Sequence, residues 1–302
     1  MTVIMETPII SGGFLWMDLT RKCQLDCGHC HNGSGPTGTH GTMTVEEWVR
    51  VLSEAASAGV RHVQFTGGEV TMHPDAPTLI EYARGLGLRV EVYSNMVHLT
   101  ERWWTLLQRE GVSLATSYYG TEDAHNGVTG RNSYARTRTN IDRAVKAGIP
   151  IRVSVIVPEP THTGERAREQ LKALGVTNVR VDHVRPFGRA AGGKAPCADG
   201  LCGRCGDGRA SVGPDGEVSP CVFSTWLGVG NVKDGSLAAI LDGPAMAQTN
   251  ATIRRGRGLG MSRNSCGPQS PCGPDTEQKP CGPQTDDECS PGFPGSECTP
   301  RN

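Results

Sequence analysis

Three cysteines lie within eight residues near the start of the chain, in the segment LTRKCQLDCGHCHNGSG (residues 19–35). Cys23, Cys27 and Cys30 have the spacing C-x3-C-x2-C and follow an apolar run that predicts a buried strand. Structural zinc is usually bound by four ligands in two short pairs, which this segment does not provide. A four-iron, four-sulfur cluster that is held by only three cysteines leaves one iron open to another ligand. The triplet therefore favours such a cluster, with zinc as the alternative when the triplet is taken alone.

A second group of thiols flanks a turn signal in the last third of the chain. Cys202, Cys205 and Cys221 surround Pro214-Asp215-Gly216, which lies between two short strand-like runs. Proline, aspartate and glycine in this order are typical of a tight turn. The segment therefore predicts a β-hairpin that is flanked by cysteines.

Composition limits the classes of protein to which the chain can belong. The formal net charge is −1, which argues against a nucleic-acid or membrane-surface binder, since such proteins carry a basic excess. The N-terminus MTVIMETPII has no basic region of the secretory type, and no apolar run is long enough to span a bilayer. We therefore expect a cytoplasmic protein. Disulfides are rare in that compartment, so the twelve cysteines indicate metal binding.

The elements that must position these thiols alternate between strand and helix. The pattern predicts six strands and five helices, the signature of parallel βαβ units. Two architectures fit this series, namely an open doubly wound sheet and a barrel that is not fully closed. The predicted strands are 12–19, 60–66, 88–94, 112–118, 149–157 and 176–184, and the predicted helices are 44–59, 76–84, 101–110, 134–147 and 165–174.

Both architectures place the site at the C-terminal ends of the strands. The cysteine triplet directly follows the first strand, and a Gly-Gly-Glu turn at residues 67–69 follows the second. Ser94-Asn95 follows the third strand and Tyr118-Tyr119 follows the fourth. We therefore expect these four loops to share one rim of the sheet.

Three regions follow from this pattern. We assign residues 1–188 to a partial barrel, residues 189–250 to the cysteine-rich hairpin region, and residues 251–302 to an irregular tail rich in Cys, Gly and Pro. The tail contains almost no apolar residues, so it is either disordered or held by something that its thiols bind. Its five cysteines are Cys266, Cys272, Cys281, Cys289 and Cys298.

The triplet, its place after the first strand and the alternating pattern resemble the radical S-adenosylmethionine (SAM) superfamily. The resemblance implies a partial (β/α)6 TIM-like barrel in which the open iron of a [4Fe-4S] cluster chelates the methionine part of SAM. Gly67, Gly68 and Glu69 resemble the Gly-Gly-Glu-Pro motif of this family, in which glycines let the backbone approach the methionine amine. Val70 stands where proline is usual.

The same resemblance assigns further residues to SAM. Ser94 and Asn95 resemble the position that contacts the ribose. His29 occupies the position before the third cysteine, near the adenine. Arg131 resembles an arginine near the SAM carboxylate, and the same segment is also compatible with a solvated surface residue.

The cysteine-flanked hairpin resembles the twitch or SPASM-type extension of many radical SAM enzymes. The resemblance implies a second, auxiliary [4Fe-4S] cluster held by Cys202, Cys205 and Cys221, with a zinc hairpin as the alternative. The fourth ligand is left open among Cys197, Cys266, Cys272 and the substrate. The remaining tail cysteines either bind a further metal, complete the auxiliary cluster or bind nothing.

The reaction implied by the resemblance begins with reductive cleavage of SAM, for which an electron donor such as flavodoxin or ferredoxin is a partner. Through TRKCQLDCGHCHN, QFTGGE and SLATSYYG, the chain most resembles family members that epimerise one carbon of a neomycin-type aminoglycoside. An epimerase needs a thiol that is free of iron as hydrogen donor, and Cys266 is our candidate. Acidic residues Glu122, Asp123 and Asp182 are the groups expected to meet such a polycation.

Two other functions stay open at this point. The first is a maturase that epimerises or cross-links a ribosomally made peptide. Such enzymes usually carry an added leader-binding domain, for which the dozen residues before the first strand leave no room, so a small-molecule substrate is expected. The second is a non-catalytic iron-sulfur or zinc regulatory protein, which the intact triplet and Gly-Gly-Glu turn make the weaker hypothesis.

Overall fold

A computed structural model of the chain describes residues 13–157 and 162–258. Six parallel strands follow one another in the sheet in the order in which they occur in the sequence. Because each strand pairs with the next one along the chain, the sheet is singly wound and not doubly wound. The strands are β1 Gly13–Asp18, β2 Val60–Thr66, β3 Arg89–Tyr93, β4 Val112–Tyr118, β5 Ile151–Val157 and β6 Asn178–His183.

Helices connect the strands and cover the outer face of the sheet. Helix α1 begins with a capping box, in which the Thr44 hydroxyl accepts from the Glu47 N–H at 3.2 Å and the Glu47 carboxylate accepts from the Thr44 N–H at 2.8 Å. The helices are α1 Val45–Ser57, α2 Ala76–Gly85, α3 Glu101–Leu107, α4 Glu122–Thr129, α5 Tyr134–Lys146, α6 His162–Ala173, α7 Leu237–Leu241 and α8 Pro244–Gly258.

The sequence prediction of a partial (β/α)6 barrel is confirmed, with two differences in the helices. Helix α4 was not predicted, and it precedes α5 in the connection between β4 and β5, so that this connection contains two helices. Helix α8 was not predicted either, and its last turns occupy residues 251–258, which the sequence analysis had assigned to an irregular tail. No helix in the described ranges is long and apolar enough to cross a membrane.

The cysteine-flanked hairpin extends the sheet of the barrel. Strand β7 (Arg209–Val212) pairs with β8 (Glu217–Ser219) in an antiparallel hairpin, as predicted, and β9 (Gly230–Asn231) adds a third strand. Strand β7 also pairs in parallel with β1, with Trp16 opposite Ser211. The hairpin therefore belongs to one nine-stranded sheet with the order β6-β5-β4-β3-β2-β1-β7-β8-β9.

Side chains alternate between the two faces of the sheet, as strand geometry requires. On β2, Val63 and Phe65 are fully buried in the apolar core under the helices. Their neighbours Gln64 and Thr66 line a cavity on the inner face of the barrel. On β2, the residues that face the cavity are therefore polar, and the residues that face the helices are apolar.

A buried ion pair crosses this polar inner face. The Arg152 guanidinium donates to the Glu91 carboxylate through Nε at 3.2 Å and a terminal nitrogen at 2.7 Å. Gln64 donates to the same carboxylate, and Ser154 accepts from Arg152 at 3.0 Å. Both charged side chains are at most 5% exposed, so each one depends on the other to offset its loss of hydration.

We expect Glu91→Ala to lower the free energy of unfolding by about 3–5 kcal/mol, because it removes the carboxylate that balances the buried Arg152 charge. Urea denaturation followed by circular dichroism measures the change. Lys146→Ala is the matched control, since its ion pair with Asp142 lies on the surface with Lys146 74% exposed and should contribute little. Equal unfolding midpoints for the two variants would contradict this account of the inner face.

Candidate functional site

The three cysteines of the triplet line one cavity at the C-terminal ends of the strands. The cavity encloses about 1340 Å³ of space, including its open mouth, and its walls include Cys23, Cys27 and Cys30. The loops after β2, β3 and β4 contribute Gly67, Gly68, Asn95 and Tyr119, so the predicted common rim is observed. Val222 and Phe223, which follow the hairpin, line it as well.

Two glycines allow the loop after β2 to touch the loop that bears the cysteines. The Gly68 N–H donates to the Thr20 carbonyl at 2.6 Å, and the Glu69 N–H donates to the Lys22 carbonyl at 2.9 Å. A Cβ atom at Gly67 would lie 2.8 Å from the Thr20 oxygen, and one at Gly68 would lie 2.5 Å from the Lys22 oxygen. Only glycine permits this approach, and Gly67 also has a φ of +150°.

The Glu69 carboxylate is buried and fully hydrogen-bonded within the protein. It accepts from the Thr71 N–H at 3.1 Å, the Thr71 hydroxyl at 2.7 Å, the Ser94 hydroxyl at 2.8 Å and the Asn95 N–H at 2.8 Å. Burial raises the pKa of this carboxyl, while the hydrogen bonds from Asn95, Thr71 and Ser94 lower it. Glu69 thus joins the loop after β2 to the loop after β3.

Aromatic side chains form a wall of the cavity beside the triplet. The rings of His29 and Tyr119 meet edge to face with centroids 5.0 Å apart, and Tyr119 lies 5.1 Å from His125. Burial lowers the pKa of His125 to about 4, so its imidazole is neutral at pH 7. Its Nδ1 is buried and has no hydrogen-bond partner among the described residues, and the same holds for Nδ2 of Asn32. Both side chains line the cavity, so a bound group would supply their missing partners.

The donor set fits a multi-iron cluster better than a single metal ion. Across residues 13–157 and 162–258, no three His, Cys, Asp or Glu side chains converge on one ion-sized position. The thiolates of a cluster bind different iron atoms. They therefore need to line one cavity but do not need to converge on a single position. Burial raises the pKa of the Cys23 and Cys27 thiols to about 12, so each needs a cation such as iron to stabilise the thiolate.

The extension cysteines lie in a second apolar cluster next to the cavity. Cys205 and Cys221 are buried with their sulfur atoms 3.2 Å apart. Cys202 is buried in the same cluster. Phe14 and Trp16 of β1 pack in this cluster, and Trp16 also lines the cavity. Cys197 is exposed.

The structure brings most of the predicted SAM residues to one place. His29, Gly67, Gly68 and Asn95 line the cavity, whereas Ser94 and Glu69 lie just behind it and bond to each other. Arg131 is exposed and is not among the residues that line the cavity, and its role stays a prediction. Cys266, Cys272, Cys281, Cys289 and Cys298 lie outside the described residues.

One contributor to the site escaped the sequence analysis. Arg189, which follows β6, donates to backbone carbonyls of the segment between Cys27 and Ser34. A single arginine in a glycine-rich linker carries no pattern by which it could be found from the sequence.

Comparison with protein families decides the class. The radical SAM superfamily model matches residues 17–174, which include the triplet, the Gly-Gly-Glu turn and strands β2–β5. The chain belongs to the radical SAM superfamily. A second model, the SPASM iron-sulfur cluster-binding domain, matches residues 202–273. A [4Fe-4S] cluster and SAM are therefore cofactors of this radical SAM chain, and the SPASM match implies auxiliary iron-sulfur binding in the extension.

Curated relatives of this radical SAM chain include enzymes with peptide substrates in their names. A PqqA peptide cyclase from Streptomyces rochei is 29% identical over 47% of the chain and 39% of its own length. The antilisterial bacteriocin subtilosin biosynthesis protein AlbA from Bacillus subtilis is 25% identical over 75% of the chain and 59% of its own length. An AdoMet-dependent heme synthase from Methanosarcina barkeri is 31% identical over 57% of the chain and 50% of its own length. The chain thus spans about two fifths to three fifths of these relatives.

Solved structures share the fold. Streptococcus suis SuiB bound to the precursor peptide SuiA superposes with a TM-score of 0.68 at 13% identity, covering 80% of this chain and 67% of SuiB. The enzyme anSMEcpe with bound AdoMet and a peptide superposes with a TM-score of 0.63 at 14% identity, covering 80% of this chain and 82% of the other. At these identities the likeness concerns the fold alone.

We expect Cys27→Ala to abolish cleavage of SAM, because two thiolates do not hold a cluster with one open iron firmly. The measurement is the rate of 5′-deoxyadenosine formation by the reconstituted, reduced protein. Cys197→Ala removes an exposed thiol outside the cavity and should retain the rate. A normal rate in Cys27→Ala would overturn the assignment of the triplet.

The auxiliary site is tested by iron content. When Cys23, Cys27 and Cys30 are all replaced by Ala, the reconstituted protein should keep about four irons per chain in the extension. Adding Cys205→Ala and Cys221→Ala should remove them. Zinc without iron in the first variant would identify the extension as a zinc hairpin instead.

Proposed function

We propose that this radical SAM chain modifies a ribosomally made peptide. The observation that carries the proposal is the similarity to AlbA, which extends over 75% of the chain and thus beyond the barrel. The similarity to PqqA peptide cyclases supports the same substrate class.

The charges around the cavity also favour a peptide over a polycationic sugar. Among the described residues, Arg152, Arg185 and Arg189 line the cavity, and Asp182 is the one acidic side chain in its lining. Asp182 is already engaged, with one oxygen 3.3 Å from His183 Nδ1 and the other 3.7 Å from Arg185. A substrate that carries several ammonium groups would find no unengaged carboxylate among the walls that the structure describes.

The other acidic residues expected to meet an aminoglycoside lie elsewhere. Glu122 and Asp123 are exposed in the first turn of α4 and are absent from the cavity lining. There they stabilise the positive end of the helix dipole, which is an ordinary role for carboxylates. The expectation of an aminoglycoside epimerase therefore receives less support from the cavity and from the relatives than the peptide alternative does.

Within this proposal the residues of the chain bind, orient and exclude water. When bound, the cluster and SAM supply the 5′-deoxyadenosyl radical that removes a hydrogen atom from the substrate. Tyr119 and His29 shield one side of the cavity, and Phe223 of the extension shields another. His183 ends β6 and lines the cavity, where its imidazole can hydrogen-bond a backbone group of a peptide.

The proposal is tested by offering both substrate classes to the reduced holoenzyme. Short peptides encoded beside the gene and a neomycin-type aminoglycoside are each incubated with SAM in deuterated water and analysed by mass spectrometry. We expect a change in a peptide, either loss of hydrogen through a cross-link or gain of one deuterium through epimerisation. The Cys27→Ala variant should leave both substrates unchanged.

Turnover of the aminoglycoside with no change in any peptide would refute the proposal. In that case deuterium at one inverted carbon would identify the epimerase, and Cys266→Ala would then test Cys266 as hydrogen donor. Such a variant should still form 5′-deoxyadenosine but fail to release the inverted product.

A further inference from the structure

The segment that leaves β6 crosses the barrel rim and rests against the loop that carries two of the three cluster cysteines. We name residues 184–192 the connector and residues 27–34 the cluster loop. The connector leads from the barrel to the extension. Its contacts with the cluster loop are polar and come from two adjacent residues, Gly188 and Arg189.

Gly188 permits a close approach of the two backbones. Its φ is +57°, in the left-handed region that favours glycine. A Cβ atom at this position would overlap the carbonyl oxygens of Cys30 and His31. The next N–H, that of Arg189, donates to the Cys30 carbonyl at 2.9 Å.

The Arg189 side chain then spans the cluster loop. Its Nε donates to the Cys27 carbonyl at 2.7 Å, and its two terminal nitrogens donate to the carbonyls of Gly33 at 3.1 Å and Ser34 at 2.8 Å. The guanidinium also lies 3.4 Å from the Asp26 carboxylate. One side chain therefore holds both ends of the cluster loop.

Besides Arg189, the cluster loop is held by a bond from the Gly28 N–H to the Val128 carbonyl, by bonds from Ser34 to Asn32 Oδ1 and by its own turns. Its internal backbone hydrogen bonds are two turns, from Cys30 N–H to the Cys27 carbonyl and from Gly33 N–H to the Cys30 carbonyl. It contains no helix, strand or bridge residue, so no ladder of hydrogen bonds orders it. Buried backbone carbonyls need donors, and Arg189 donates to four carbonyls of this loop, three through its side chain and one through its N–H.

We propose that Arg189 is a positioning residue for the cluster that binds SAM, because it holds the cluster loop in the shape that presents Cys27 and Cys30. It acts through the loop backbone and not by contact with SAM or substrate. Arg189 also places a permanent positive charge beside the thiolates that bind the cluster. This charge favours reduction of the cluster. The proposal concerns SAM cleavage itself and is independent of the substrate assigned above.

Arginine is better suited to this position than lysine. The guanidinium is a planar fork with five donors in fixed directions, whereas an ammonium group is a point charge. Lysine at 189 would keep the charge but would not serve three carbonyls at once. Glutamine would remove the charge as well. The two replacements therefore separate the geometric part of the role from the electrostatic part.

The test compares Arg189→Lys and Arg189→Gln with the parent holoenzyme under anaerobic conditions. Hydrogen exchange by mass spectrometry should be faster by about tenfold or more in residues 27–34 of both variants, since charge-assisted hydrogen bonds are lost. SAM cleavage in the absence of substrate should fall about tenfold or more in Arg189→Gln and less in Arg189→Lys. The midpoint potential of the SAM-binding cluster, from electron paramagnetic resonance titration, should become more negative in Arg189→Gln and change little in Arg189→Lys.

Lys194→Gln is the matched control, because Lys194 is exposed two residues beyond the connector and carries the same charge. It should leave the exchange, the potential and the cleavage rate unchanged. Parent-like exchange in residues 27–34 together with an unchanged potential in Arg189→Gln would overturn the proposal. If Arg189→Gln does not fold, accelerated exchange confined to the cluster loop in Arg189→Lys supports the proposal, and parent-like exchange there refutes it.

Discussion

Burial of the Glu69 carboxylate is the interaction on which the arrangement of the site depends. A carboxylate without water is stable only when its oxygens are hydrogen-bonded, and Glu69 accepts four bonds from Thr71, Ser94 and Asn95. Its own N–H reaches the Lys22 carbonyl in the loop after β1. One residue thus connects three loops from consecutive strands, and the cavity lies in front of them. These bonds explain why an acidic residue is stable here without lining the cavity itself, and the assignment of Glu69 to SAM binding stays a prediction.

Backbone hydrogen bonds also join the extension to the barrel. Strand β7 forms backbone hydrogen bonds with β1, so the hairpin and the barrel share one sheet. The two faces of β1 pack against different parts of the protein. Leu15 and Met17 pack under the helices, whereas Phe14 and Trp16 pack against the extension cysteines. The same strand ends next to Cys23, so β1 sets the relative placement of the two groups of thiols.

Local patterns made much of this architecture predictable, and long-range contacts account for the rest. The bounds of β2 and β4, the capping box of α1 and the turn of the hairpin depend on neighbouring residues, and they were predicted correctly. Helix α4 was missed because Asn126 and Gly127 are poor helix formers. Residues beyond the helix stabilise it, because the Asn126 side chain accepts from the N–H groups of Ser133 and Tyr134 at the start of α5. The pairing of β1 with β7 and the contacts of Arg189 join residues more than 150 positions apart, which no local pattern encodes.

The fold alone does not select the substrate, since one barrel hosts many reactions. On our proposal, the selection lies in the lining of the cavity, where the described residues include three arginines and an engaged aspartate but no free carboxylate for a polycation. The second feature is Trp16, which lines the cavity and belongs to the same apolar cluster as Cys205 and Cys221. The extension, to which the SPASM match assigns iron-sulfur binding, therefore adjoins the cavity. An auxiliary cluster bound there would make oxidation of the substrate accessible beside simple return of a hydrogen atom. Oxidation is what a cross-linking peptide maturase requires and what a plain epimerase does not, so the position of the extension cysteines and the charge of the cavity favour the same substrate class.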